Sequence, residues 1–301
     1  MNTDRIKNIM LVLLSVLAIV LTTLVFLDEQ QYILSDEQQS NIIEILQRNN
    51  MRVSTDIPQV FRPQRQLNAF LYRHNVYGIA ERFFGYDGFV RDTEGATTII
   101  TSRQSRNTIT YFEREGEIVF QMPDGFFVGV LPQDFFKTAT TAEELARSFI
   151  EEVLGEPAVN MQLFSNILTP NMNYQLTFFD SYRGQLLYDS RIRVHITDKG
   201  IEDVFYWQAG HSGMIGSSIP IFSADEAMFA LLNHLQIGEG IEDEMDLIDM
   251  QLVYAIDNVG NRDRAVLAYL FTVTIGVNQR FNVVINAHTN NPIVDMEIVS
   301  R

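Results

Sequence analysis

Between Ile9 and Leu27 the chain runs for nineteen residues, most of them apolar and none charged. At 1.5 Å per helical residue this run reaches about 28 Å, close to the hydrocarbon thickness of a bilayer, and it predicts a membrane-spanning helix. Beyond it the pattern breaks into shorter amphipathic pieces. Ser35-Asp36-Glu37-Gln38 places a hydroxyl three residues ahead of a glutamine, the reciprocal arrangement that starts helices, and Ile42, Ile43, Ile45 and Leu46 supply an apolar face. A helix over 36–49 is therefore predicted. An extended piece begins at Met51-Arg52-Val53 and closes at Ile57-Pro58, and a second helical pattern covers 66–84 with Leu67, Phe70, Leu71 and Ile79. Alternation then takes over. Residues 97–101, 108–112 and 118–122 read as strands of β-hairpins, with Gly116 in the last turn.

The second half repeats one order of elements. Thr141-Ala142-Glu143-Glu144 opens a helix carrying Leu145, Phe149, Val153 and Leu154 and ending at Gly155, followed by strand patterns at 172–179, 186–196 and 201–208. Ser223-Ala224-Asp225-Glu226 opens another with Met228, Leu231, Leu232 and Leu235, ending near Gly238, and strands follow at 252–256, 265–275, 279–287 and 293–299. A helix-plus-meander unit used twice accounts for both. Between the copies, residues 211–220 are rich in glycine and serine and read as a linker. The expected organisation is a tail at 1–8, a transmembrane helix at 9–27, and an α+β module of antiparallel sheet packed on helices at 28–136. A second module at 137–210, the linker, and a third module at 221–301 complete it.

Flanking charge orients the span. Arg5 and Lys7 precede it and Asp28 and Glu29 follow it, which places the N-terminus in the cytoplasm and the bulk outside the cell membrane. A cleaved signal peptide would have an apolar core of only about 7–15 residues and small residues at its end. Here the run continues through Phe26 and Leu27. With 38 acidic against 22 basic residues the formal charge is -16, which makes nucleic acid a poor partner, since phosphate binding needs a clustered basic surface. The chain has no cysteine, so disulfides, thiolate metal sites and thiol nucleophiles are all ruled out.

No pattern of catalytic, cofactor-binding or metal-binding residues emerges. Gly210-His211-Ser212-Gly213 lacks the glycine two residues after serine that a nucleophile elbow needs, and glycines 210, 213 and 216 do not make a dinucleotide fingerprint. His74, His195, His211, His234 and His288 are scattered without metal-ligand spacing. Glu239, Glu242, Asp243, Glu244, Asp246 and Asp249 lack the ligand order of a calcium loop and read as a solvated charged loop. Within the span, Ser15, Ala18 and Thr22 are spaced i, i+3 and i+7 and gather small residues on one stripe, where a second helix can approach closely in lipid.

Several segments carry a family resemblance: the basic tail with its single anchor, the Tyr32-Ile33-Leu34-Ser35 step, the strand-turn-strand from Tyr182 through Arg183-Gly184 to Ser190, and the closing hairpin from Phe281 to Val294. Together they resemble the YycH/YycI family, its YycI branch most closely. These are membrane-anchored auxiliary proteins of the WalK/WalR two-component system in low-GC Gram-positive bacteria. The resemblance implies a non-enzymatic regulator that associates with a sensor histidine kinase, and with a YycH-like partner, largely through its membrane helix, adjusting control of cell-wall metabolism. The closing hairpin also looks like the last strands of PepSY-type domains, with Asn290 where their turn carries glycine. That likeness implies the alternative of an envelope binding or inhibitor module acting on a peptidase or wall polymer.

Overall fold

The computed structural model describes residues 14, 33–59, 61–85, 88–127, 138–169, 173–241, 243–257, 264–276 and 279–300. Apart from Leu14, the predicted span at 9–27 lies outside the described residues. Among these, no helix is long and apolar enough to cross a membrane.

Helix α1 (Asp36–Arg48) opens on the expected capping box, with Ser35 Oγ accepting from the Gln38 backbone N–H at 3.2 Å and Gln38 Oε1 accepting from that of Ser35 at 3.0 Å. Strands β1 (Met51–Val53) and β2 (Gln64–Leu71), helix α2 (Val76–Phe84) and a meander of β3 (Phe89–Glu94), β4 (Thr97–Ser102), β5 (Thr108–Phe112) and β6 (Glu117–Phe126) follow. Helix α3 (Ala139–Phe149) runs on into a π-helical turn at Ile150–Leu154. Then come β7 (Gln162–Leu168), β8 (Tyr174–Tyr182), β9 (Gln185–Thr197), β10 (Gly200–Trp207) and β11 (Ala209–Ile219). Helix α4 (Ala224–Asn233) also ends in a π-helical turn, His234–Gly238, before β12 (Met245–Ile256), β13 (Arg264–Ile275), β14 (Gln279–Asn286) and β15 (Pro292–Ser300).

These strands form one hydrogen-bonded system in two halves. The first half has the order β3-β4-β5-β6-β10-β9-β8-β7 and is antiparallel throughout. The second is the antiparallel run β12-β13-β14-β15, with β1 parallel to the start of β12 and the β2–β11 pair joined to the start of β13. Two parallel pairs, Val253 with Leu186 and Tyr254 with Leu187, join the halves.

Because strand side chains alternate between faces, each half has an outer and an inner surface. In the first half, Phe83 of α2 and Phe149 of α3 pack on Ile109, Phe120, Phe178 and Val194. In the second, Leu46 of α1 and Met228 and Leu231 of α4 pack on Tyr269, Phe271 and Val283. The neighbouring positions face the other way: Phe179, Tyr188, Val253, Ala268, Leu270 and Val284 form a third core where the inner surfaces meet. The chain is thus an α+β fold whose helices cover the outside of two antiparallel-rich half-sheets.

Four segments depart from expectation. Residues 66–71 are strand, not the start of a helix. Leu67, Phe70 and Leu71 match helical spacing, but Leu67 and Ala69 are the buried pair, a period of two set by pairing with β11 and β13. The helix begins only at Val76, where Asn75 Oδ1 accepts from the Gly78 N–H at 3.1 Å. Residues 211–220 are not a linker. Residues 211–219 belong to β11, whose glycines 213 and 216 take positive φ beside register shifts, so the composition that suggested flexibility serves an irregular strand. Helix α3 starts three residues early, capped by Thr138. Finally, β12 begins at Met245, placing Asp246 and Asp249 in a strand where a charged loop was expected.

Candidate ligand-binding cleft

Where the inner surfaces turn polar, a cleft of about 260 Å³ opens between the halves. Its polarity follows from alternation in β9, where Ile192, Val194 and Ile196 face the helices and Arg191 and Arg193 point to the opposite face. In the same way Val283 and Ile285 of β14 face outward, leaving Arg280 and Asn282 on the cleft. Apolar walls come from Phe164, Ile167, Phe179, Ile248 and Val299, and Thr177, Thr272 and Asp249 add polar groups.

One wall is held by a carboxylate shared between two arginines. Arg191 Nη2 donates to Glu297 Oε1 and Oε2 at 2.9 and 3.1 Å, and Arg193 Nη2 donates to Oε1 at 2.8 Å. Tyr188 Oη donates to the same carboxylate, and Arg191 Nη1 donates to the Tyr188 carbonyl at 2.5 Å. The Arg191 guanidinium also lies 4.1 Å from the Trp207 ring centre and 4.2 Å from that of Tyr188, within cation–π range. Side-chain exposure is only 8% for Arg191, 13% for Arg193 and 18% for Glu297. The cluster ties β15 to β9. Val299 and Ile298 extend the tie through their carbonyls, which accept from Gln175 and from Arg193.

Burial opposes charge on Glu297, but Arg191 and Arg193 outweigh it and hold the carboxyl at about 2. Burial pushes the carboxyls of Asp189, Glu117 and Asp249 above their ordinary values, with Arg191 working the other way on the first two. The Nε atoms of Arg191 and Arg193 and Ser190 Oγ are buried without a hydrogen-bond partner among the described residues. Arg280 and Asp249 form no ion pair among them either. A half-buried cation and a half-buried carboxylate thus face one small cavity without neutralising each other.

The small-residue stripe, Ser15, Ala18 and Thr22, lies outside the described residues. Ser212 Oγ accepts from Asn68 Nδ2 at 2.6 Å across the β2–β11 pair. The histidines stand apart: His74 among Tyr72, Tyr111 and Tyr206, His195 3.6 Å from Asp203, His211 against Tyr182, and His288 2.8 Å from the Pro220 carbonyl. No three metal-ligating side chains gather among the described residues. Sequence reasoning passed over the cleft because its partners, Arg191 and Glu297, are 106 residues apart. The available signal was local, two arginines on one face of a strand whose other face is aliphatic.

No family model and no curated protein matches the sequence. Among solved structures, an uncharacterized protein from Eubacterium rectale ATCC 33656 is 12% identical and superposes with a TM-score of 0.50, over 80% of this chain and 89% of that one. The likeness is one of fold.

Proposed function

We propose that this chain is a single-pass, non-enzymatic regulator of a sensor histidine kinase controlling cell-wall metabolism, its outer body sensing a small ligand and its anchor contacting the kinase. The observation that carries the reading is the uncharged nineteen-residue run with Arg5 and Lys7 before it and Asp28 and Glu29 after it, ahead of a folded α+β body. The resemblance to the YycH/YycI family supplies the kinase. It also bears on the cleft, since the two hairpins behind it belong to strands that line that cleft. Residues 182–190 hold the turn into β9, and 281–294 hold the turn between β14 and β15. At that second turn Asn290 adopts φ 55°, the left-handed conformation glycine takes most readily and asparagine tolerates.

Leucine at Ser15, Ala18 and Thr22 together would fill the stripe. The expected result is loss of histidine-kinase co-purification from membranes with the outer body's thermal transition unchanged; unchanged association would remove that face from the account. The PepSY-like closing hairpin favours a second reading, an envelope module that grips a peptidase or wall polymer. Such a module would hold its target in the triple-leucine variant as well.

A further inference from the structure

We infer that the inter-sheet cleft binds a small zwitterion with an apolar side chain, a free apolar amino acid, through Arg280 and Asp249. The inference names the ligand of the cleft and rests on the reading of that cleft as a sensing site.

Asp249, Thr272 and Asn282 stand in register on β12, β13 and β14, so Asp249 and Asn282 are about 10 Å apart along the hydrogen-bonding direction. Arg280 lies two residues from Asn282 and lines the same cavity. Thr272 Oγ1 donates to Asn282 Oδ1 at 3.0 Å, and Asp249 accepts from Gln251 Nε2 at 3.1 Å. Neither contact neutralises a charge. Arg191 and Arg193 both already donate to Glu297, whereas Arg280 makes no ion pair among the described residues and is the guanidinium on the cavity placed for an incoming carboxylate. Asp249 is the acidic side chain on the same wall for an ammonium.

The placement of one unpaired cation and one unpaired carboxylate selects the ligand. A simple anion would satisfy Arg280 but face Asp249, and a simple cation would do the reverse. A molecule carrying both groups satisfies both. Phe164, Ile167, Phe179 and Val299 would take its apolar part. At about 260 Å³ the cavity falls just below the range of drug-sized sites, roughly 300–1,000 Å³, and suits a single amino acid.

The test uses the full-length chain in lipid nanodiscs with no kinase present, reading calorimetry and the fluorescence of Trp207, the only tryptophan, which stacks on Arg191. L-Leucine and L-phenylalanine should bind saturably. Leucinamide, 4-methylpentanoate and glycine each lack one of the three recognised features and should bind at least about tenfold more weakly. Arg280→Gln and Asp249→Asn should each weaken leucine by a similar factor, with Arg280→Lys retaining more binding than Arg280→Gln. Absence of saturable binding by either amino acid at millimolar concentration would overturn the inference, as would 4-methylpentanoate binding as tightly as leucine. Should either variant fail to fold, the ligand series on the unaltered chain still decides. Leucine binding with no kinase contact would sink the regulator reading alone.

Discussion

Glu297 holds the most consequential side-chain position. Its single carboxylate is shared by two guanidiniums in a poorly hydrated place, so removing it takes away the ion-pair partner of both. Glu297→Gln should lower unfolding free energy by about 3–5 kcal/mol in urea titrations, well beyond the cost of breaking an exposed pair such as Arg48 with Glu44. Its acid dependence follows in sign. The folded carboxyl titrates at about 2 and the unfolded one near 4.5, so its stabilisation is complete above pH 4.5 and is lost as pH falls towards 2. His74 acts in a separate window. Burial lowers its pKa from 6.5 to about 4, a hydrogen bond to the Gly116 backbone working the other way, so the unfolded chain takes the proton first. The stability held by neutral His74 is complete above pH 6.5 and is lost as pH falls to 4. Urea midpoints measured across pH should therefore fall in both windows. His74→Phe should flatten the upper fall and leave the lower one; an unchanged profile would show that His74 is not held neutral.

At the scale of elements, legibility followed the strength of local rules. The boxes at Ser35 and Ser223 marked true helix starts because each pairs side chain with backbone within three residues. Strands 97–101, 108–112 and 118–122 were readable because their alternation is undisturbed. By contrast, β2 and β11 hid from the same rules. Each is stabilised by the other, 144 residues away at the Asn68–Ser212 bond, and tertiary pairing overrode a helical spacing in one and a glycine-rich composition in the other. Glycine matters most where chains cross closely. At Gly125, φ is +79° and an added Cβ would run into the Lys199 carbonyl oxygen. Gly125→Ala should therefore destabilise by about 1–3 kcal/mol in thermal melts, whereas Gly184→Ala, with open space around it, should cost less.

Across the whole molecule, contiguous stretches of sequence are not independent bodies. Strand β6 pairs with β10 from Phe126 to Glu117, and Ile118, Phe120 and Met122 share one core with Phe178 and Val194. A chain ending at residue 136 should show no cooperative unfolding transition by circular dichroism, because it would leave that core and the β6 edge uncovered. The cleft belongs to this scale too. It is built from β7, β8 and β9 on one side and β12 to β15 on the other, and only the packing of the two halves brings Arg193, Arg280 and Asp249 together. No periodicity within a segment carries that information.

The central claim is that the anchor makes the working contact with a sensor kinase while the outer body senses. Its most direct test is a membrane pull-down of the full-length chain beside a chain starting at Asp28, with the co-purifying proteins identified by mass spectrometry. The account predicts that a histidine kinase is recovered with the full-length chain and lost with the shorter one. Recovery of the kinase, a peptidase or wall polymer with the chain starting at Asp28 would contradict it and place recognition in the outer body.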